Sequence, residues 1–238
     1  MIDFNIEKII PLCEQFGLSL DKTAADRLNL YGNLLLSWNE KMNLTAITDP
    51  TDVLYKHFYD CLLFFKAVDV KQGAKVIDVG TGAGFPGMVL KIARPDIELT
   101  LLDGLNKRLV FLTDVLDKTG LSAHIVHMRA EEGGRKPEMR EKYDIACARA
   151  VAALNVLCEY CLPFVRTGGL FVAMKGASAE DETQQALSAY SLLGAQKPNI
   201  ICETLTGNEK RAFVISKKSS QTPTKYPRQG SKISKNAL

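Results

Sequence analysis

No run of apolar residues in the 238-residue chain is long enough to cross a bilayer, because charges interrupt every such run. The first residues, Met1-Ile2-Asp3-Phe4-Asn5, lack the basic start and apolar stretch of a secretory signal, so a cytoplasmic location is expected. A metal centre is not expected. Cys158 and Cys161 form one C-x-x-C, but no second pair follows, and His57, His124 and His127 are not spaced as zinc ligands. That pair sits in an apolar, helix-like stretch. Cys13, Cys61, Cys147 and Cys202 stand singly among apolar neighbours, so all six cysteines read as packed thiols. Acidic residues are absent from Lys217 onward, where six Lys or Arg occur. With those six set aside, 24 basic residues face 27 acidic ones, so the positive excess lies in the tail. Such a tail suits a polyanionic partner, and its polar composition predicts a loosely held segment over 218–238.

What is present divides the chain in two further parts. A helical cap is expected over residues 1–70. Ile6, Ile9, Ile10 and Cys13 recur at helical spacing, and Asp21 is placed to cap a second helix carrying Leu28, Tyr31, Leu34, Leu35 and Trp38 on one stripe. Asn43 to Pro50 is rich in turn residues, and a third helix is expected through Val53, His57 and Leu62. From 71 to 217 strands and helices alternate. Strands are predicted at 75–79, 98–102, 123–128, 143–148 and 169–174, with helices at 88–93, 107–119, 154–162 and 179–193 between and after them. A final antiparallel hairpin, 199–206 and 211–216, is expected about Gly207-Asn208. The fold class is therefore α/β: a Rossmann-like, mostly parallel sheet of seven strands with a C-terminal hairpin and a small helical cap.

The sharpest local feature is Asp78-Val79-Gly80-Thr81-Gly82-Ala83-Gly84-Phe85-Pro86-Gly87 at the end of the first strand. Glycines there let the backbone turn sharply and let a nucleotide-like ligand approach beyond the carboxyl ends of the strands. The spacing also satisfies the G-x-G-x-x-G of a dinucleotide loop, so the glycines alone leave NAD open. Other residues favour S-adenosylmethionine. Asp78 precedes the first glycine by two positions, suited to an ammonium group held through water or backbone. Asp103 ends the second strand, where a carboxylate can accept ribose hydroxyls, and Phe85 offers an apolar surface. Glu131 could approach the adenine end. Candidate donor-binding residues from this pattern are Gly80, Gly82, Gly84, Phe85, Asp103 and Glu131. Lys107, Arg129, Arg149 and Lys175 all end or follow strands on that face, and phosphate groups of a nucleic acid would explain four cations on one rim.

Absent motifs narrow the chemistry. There is no Asn/Asp-Pro-Pro-aromatic run for amine methylation, and no Pro-Cys for a cytosine C5 nucleophile. Guanine N7 carries an exposed lone pair and needs neither a base nor a covalent intermediate, so positioning can supply most of the rate. A non-catalytic RNA-binding protein on the same fold is the alternative of another class. The intact Asp78, glycine loop and Asp103 argue against it.

Together these residues resemble the 16S rRNA guanine-N7 methyltransferase family (RsmG, also called glucose-inhibited division protein B, GidB). The likeness covers Trp38 through Ile47, His57-Phe58-Tyr59-Asp60, Asp78 through Gly87, Leu102 through Arg108, Arg129-Ala130-Glu131-Glu132, Ala148-Arg149-Ala150-Val151-Ala152, Ala173-Met174-Lys175-Gly176 and the tail Thr222 through Arg228. It implies a class I S-adenosylmethionine-dependent methyltransferase acting on one guanine in the 530 loop of 16S rRNA; a monomer, with no membrane and no metal, is the simplest expectation for the chain itself. By that resemblance Gly80, Phe85, Ala130, Glu131 and Arg149 would contact the methyl donor, while Lys107, Arg129 and Lys175 would lie beside the RNA. Arg149 and Lys175 are the candidate catalytic residues. The chain departs from the family pattern at Cys61, where serine is usual, and in the last tail residues, which lack the usual prolines.

Overall fold

Seven strands frame the protein in a computed structural model, which describes residues 1–205 and 209–238. They are β1 Lys75–Val79, β2 Glu98–Asp103, β3 His124–His127, β4 Tyr143–Arg149, β5 Val165–Lys175, β6 Asn199–Thr204 and β7 Lys210–Lys217. Their order is β3-β2-β1-β4-β5-β7-β6. The first five pair in parallel, and β7 runs antiparallel to both β5 and β6. Parallel neighbours need crossover connections, which the helices Gly87–Ala93, Asn106–Thr119 and Leu154–Cys161 supply. The chain steps outward from β1 to β3, then returns to the other side of β1 as β4, with Asp78 opposite Cys147. That reversal leaves a crevice beyond the carboxyl ends of β1 and β4, where open α/β sheets bind ligands.

Both faces of the sheet are covered. On one, the helices Lys22–Met42 and 50–67 pack with those at Gly87–Ala93 and Asn106–Thr119, burying Leu28, Tyr31, Phe58, Met88 and Phe111 together. On the other, Leu154, Leu157, Phe164, Phe171 and Tyr190 close over Ile77 and Ala146. Each such side chain contributes about 1.5–3 kcal/mol of burial, so the N-terminal helices share the core of the sheet that they cover. Asp21 Oδ1 accepts from the Ala24 amide at 2.7 Å and caps the long helix as its sequence position predicts. In the run 50–67 the middle, Val53–Tyr59, is wound as a π-helix, a wider turn that re-aims His57 and Asp60.

Several expectations need correction. The helix expected over 179–193 is two shorter ones, Ala179–Gln185 and Leu187–Leu192, broken at Ala186. β5 begins earlier than its apolar run, because Val165 pairs with Tyr143 across an irregularity in the ladder. Cys202 is exposed rather than packed, since β6 is an edge strand, while the other five cysteines are buried. The expected turn at Gly207-Asn208, and Thr206 before it, lie outside the described residues. The largest difference is the tail. Residues 218–238 are docked on the body: the Lys218 side chain is fully buried, its Nζ donating to the carbonyls of Leu162 and Val165 and to Thr222 Oγ1. The tail ends in a short helix, Gly230–Lys235, that buries Ile233. Composition missed this because the partners, Glu141 and Glu159, are distant in sequence. They consume two of the six tail cations, Lys218 and Arg228.

Candidate functional site

The turn after β1 is built to expose backbone. Gly80 sits at φ +71°, and a Cβ there would stand 2.9 Å from a Val151 methyl, so any side chain would strain the turn and crowd the β4 loop. Asp78 is fully buried beneath the turn. Its Oδ2 accepts from Thr81 Oγ1 at 2.7 Å and from the Gly87 amide at 2.8 Å, bracing both ends of the loop. Burial pushes its carboxyl up to about 6 against those hydrogen bonds, and Oδ1 has no partner among the described residues. Asp78 thus acts first as an internal brace of the loop, and any hold on a ligand's ammonium group would pass through the backbone it braces. Asp103 locks the far side: Oδ2 accepts from the Gly82 amide at 2.9 Å and Oδ1 from the Leu105 amide at 2.8 Å.

Beside this turn opens a cavity of about 640 Å³, a size suited to a nucleoside-sized ligand. Gly80, Asp103, Arg129, Ala130 and Glu131 line it, with Val79, Leu102, Met128 and Val151 as apolar wall. The donor set fits S-adenosylmethionine: a carboxylate at the end of β2, another in the short helix Ala130–Gly133 after β3, apolar surface between, and a glycine whose Cβ would intrude. Gly82 and Gly84 shape the loop from behind. At Gly84 a Cβ would meet Leu112 and the Tyr31 hydroxyl, which donates to the Ala83 carbonyl.

A second cavity of about 340 Å³ lies across Ala150, which borders both. Ala150 holds φ +56°, unusual for a residue with a side chain, at the turn leaving β4. Lys56, His57, Asp60, Arg149, Lys175 and Arg211 are among the residues that line this space. Arg149 faces it rather than the larger cavity. Its guanidinium donates to Asp60 Oδ2 at 2.9 Å, to the Lys56 carbonyl at 3.2 Å and to His57 Nδ1 at 3.1 Å, and lies 4.7 Å above the centre of Phe85. Because Nδ1 accepts from Arg149, the proton of His57 is on Nε2, which donates to Thr45 Oγ1 at 2.9 Å. The Thr45 amide in turn donates to Asn39 Oδ1 at 2.8 Å, tying the Asn43-Leu44-Thr45 turn to the cleft. Burial foremost, then the Arg149 charge, hold His57 down to about 3. Phe85 stacks on His57 and packs at a tilt against Tyr31, outside the lining of the larger cavity.

The four expected cations divide. Lys107 and Arg129 are exposed and have no ion-pair partner among the described residues, with Arg129 lying across Gly104. Lys175 is instead nearly buried, its Nζ 2.6 Å from Glu182 and 3.0 Å from the Ala152 carbonyl, so it fixes the β4 loop. Asp60, Arg211, Arg108 and Tyr160 line the two cavities and were not singled out from sequence. Asp60 joins Arg149 and Arg211 at 2.9 and 3.1 Å. Only its place beside His57 in a polar patch on an apolar helix hinted at this.

A sheet of order 3-2-1-4-5-7-6, with a glycine turn after β1 and an acid closing β2, defines a class I S-adenosylmethionine-dependent methyltransferase. Solved structures of that kind share the fold. An S-adenosylmethionine-dependent O-methyltransferase from Thermotoga maritima matches with TM-score 0.53 at 16% identity, over 79% of this chain and 72% of that one. A precorrin-6y C5,15-methyltransferase from Geobacter metallireducens matches with TM-score 0.52 at 13% identity, over 66% and 87%. The chain belongs to the family of the rRNA small subunit methyltransferase G, whose description matches residues 24–212. It is similar to the ribosomal RNA small subunit methyltransferase G of Acetivibrio thermocellus, 48% identical over 94% of this chain and 92% of that protein. The protein of the same name from Clostridium perfringens strain 13 is 43% identical over 95% of each. The protein is therefore a methyltransferase of ribosomal RNA. Among the described residues no helix is long and apolar enough to cross a membrane.

Proposed function

We propose that the protein transfers a methyl group from S-adenosylmethionine to N7 of a single guanine in the 530 loop of 16S rRNA. The observation that carries this reading is the meeting of two cavities at Ala150, one nucleoside-sized and holding Asp103 and Glu131 beside Arg108 and Arg129, the other bordered by paired cations. In the first, Gly80, Ala130, Asp103 and Glu131 would hold the donor, the carboxylates accepting from its hydroxyl and amine groups. When bound, the donor supplies an electrophilic methyl on a sulfonium. Phe85, Gly82 and Gly84 act by shaping the turn, and Arg149 by bracing it from the side of the second cavity.

In the second cavity the acceptor base would lie against Arg149 and Lys175, which can donate to a guanine carbonyl oxygen while leaving N7 free. Both cations are already matched by carboxylates, Asp60 and Glu182, so a ring gaining positive charge on methylation is not repelled. No proton leaves N7 in the transfer. His57, held at about 3 with Nδ1 occupied, is not available as a base, which agrees with an acceptor that needs none. Orientation of the two reactants then supplies most of the acceleration. The exposed Lys107 and Arg129 would take RNA phosphates. A cytoplasmic monomer acting on the small subunit is the simplest form of this reading.

The test is methyl transfer from labelled S-adenosylmethionine to unmodified small subunits, with the RNA then digested to nucleosides. Label in 7-methylguanosine supports the reading. Label in another nucleoside keeps the enzyme class and discards the N7 acceptor.

A further inference from the structure

The docked C-terminal arm reaches the larger cavity. Gly230, Ser231 and Ser234 line it together with Asp103, Glu131 and Tyr160. The contact is close: a Cβ on Gly230 would stand 2.2 Å from Glu131 Oε1, so the arm's backbone is pressed against that carboxylate. The anchors are strong. Arg228 donates from Nη2 to Glu159 Oε2 at 2.7 Å and from its amide to Oε1 at 2.6 Å, and Glu159 is fully buried. Such a charge-assisted pair, made twice on one carboxylate, fixes the direction of the chain as well as its position. Arg140 gathers the carbonyls of Thr222 and Tyr226 at 2.6 and 2.9 Å. Glu159 and the cavity-lining Tyr160 are adjacent on one helix, so the arm is held by the same element that shapes the cavity.

We infer that residues 228–235 are part of the donor-binding site, closing its side next to Glu131 with the Gly230 backbone and the Ser231 and Ser234 hydroxyls. The inference rests on reading this cavity as the donor's. The arm's basic residues then serve donor retention, through the Arg228 anchor, rather than RNA phosphates alone. Small hydroxyl-bearing residues suit that place, because they leave room for a ligand: Ser231 can donate to it, while the Ser234 hydroxyl, donating to the Gly230 carbonyl at 3.1 Å, can accept from it.

Equilibrium binding of S-adenosylmethionine to the full chain, to a chain ending at Arg228, and to Ser231→Trp tests this, with thermal midpoints recorded for each. Both variants should bind the donor about tenfold more weakly or worse, since losing one wall or filling the space forfeits at least one such increment. Ser231→Trp keeps the anchors, so it decides the matter if the truncated chain is unstable. Saturating S-adenosylhomocysteine should also slow tryptic cleavage after Lys232 in the full chain. Unchanged affinity in Ser231→Trp, or cleavage indifferent to the ligand, overturns the inference. Gly80→Asp separates the two readings: if it also leaves affinity unchanged, the donor does not bind in this cavity at all. If it abolishes binding while Ser231→Trp does not weaken it, only the arm's role fails.

Discussion

His57 accepts a hydrogen bond at Nδ1 from the Arg149 guanidinium 3.1 Å away, while its ring lies on Phe85 with centroids 4.4 Å apart. One neutral imidazole thereby joins the helical run 50–67, the glycine loop and the end of β4. The three segments are far apart in sequence, and each contributes one member of the stack. A protonated His57 would lose its acceptor and face a cation.

The pH dependence follows with a definite sign. The folded state holds His57 at about 3, below its ordinary value near 6.5, so the unfolded chain takes up the proton first as the medium is acidified. The stability contributed by neutral His57 is present above about pH 6.5 and is lost as the pH falls toward 3. His57→Asn should be less stable than the parent at pH 7, and that gap should narrow by pH 4. Thermal midpoints at both pH values check this, and a constant gap would contradict it.

Asp78 has the opposite sign. Burial raises its folded value from 3.8 to about 6, so its contribution favours folding at low pH and is lost as the pH rises through that range. The shift corresponds to a cost of about 3 kcal/mol at most at neutral pH. Asp78→Asn removes that titration. Its stability relative to the parent should rise between pH 4 and 7 and level off above, as read by denaturant midpoints. A relative stability that does not vary with pH would show that burial does not lift the Asp78 carboxyl above its unfolded value.

Arg129 is exposed in the lining of the larger cavity, and Lys107 is exposed in the first turn of the helix Asn106–Thr119, next to the lining residue Arg108. Replacing Lys107 by Ala should weaken binding to small-subunit RNA and lower the slope of log K against log salt by about 1, as expected when one phosphate contact is lost. Lys175→Ala should leave the slope unaltered, because Lys175 is paired with Glu182. Equal slopes for parent and Lys107→Ala would remove Lys107 from the RNA path.

The sheet was legible because its strands are short apolar runs ended by glycine or by charge, as where Gly80 follows β1 and Asp103 ends β2. The lining of the larger cavity was legible where it lies on one local segment, as at Gly80, Asp103 and Ala130-Glu131. The site was not legible where charges from separate segments neutralise each other. Lys175 reads as a free strand-end cation until Glu182 is folded beside it, and Arg149 until Asp60 and His57 arrive from the π-helical turn. The tail misled for the same reason. A window over 218–238 shows polar and basic residues, while the acids that bury Lys218 and hold Arg228 stand roughly 70 to 80 residues earlier. Ile233 and Tyr226, the apolar residues it buries, are too few to signal an ordered segment alone.

The most direct test of the central claim is positional. Small subunits lacking the modification are incubated with the protein and S-adenosylmethionine, and 16S RNA is then treated with borohydride and aniline, which cleave the chain at 7-methylguanosine. The account predicts scission at one guanine of the 530 loop, absent when Gly80→Asp replaces the parent protein. Scission elsewhere, or an intact loop despite methyl transfer, would contradict it.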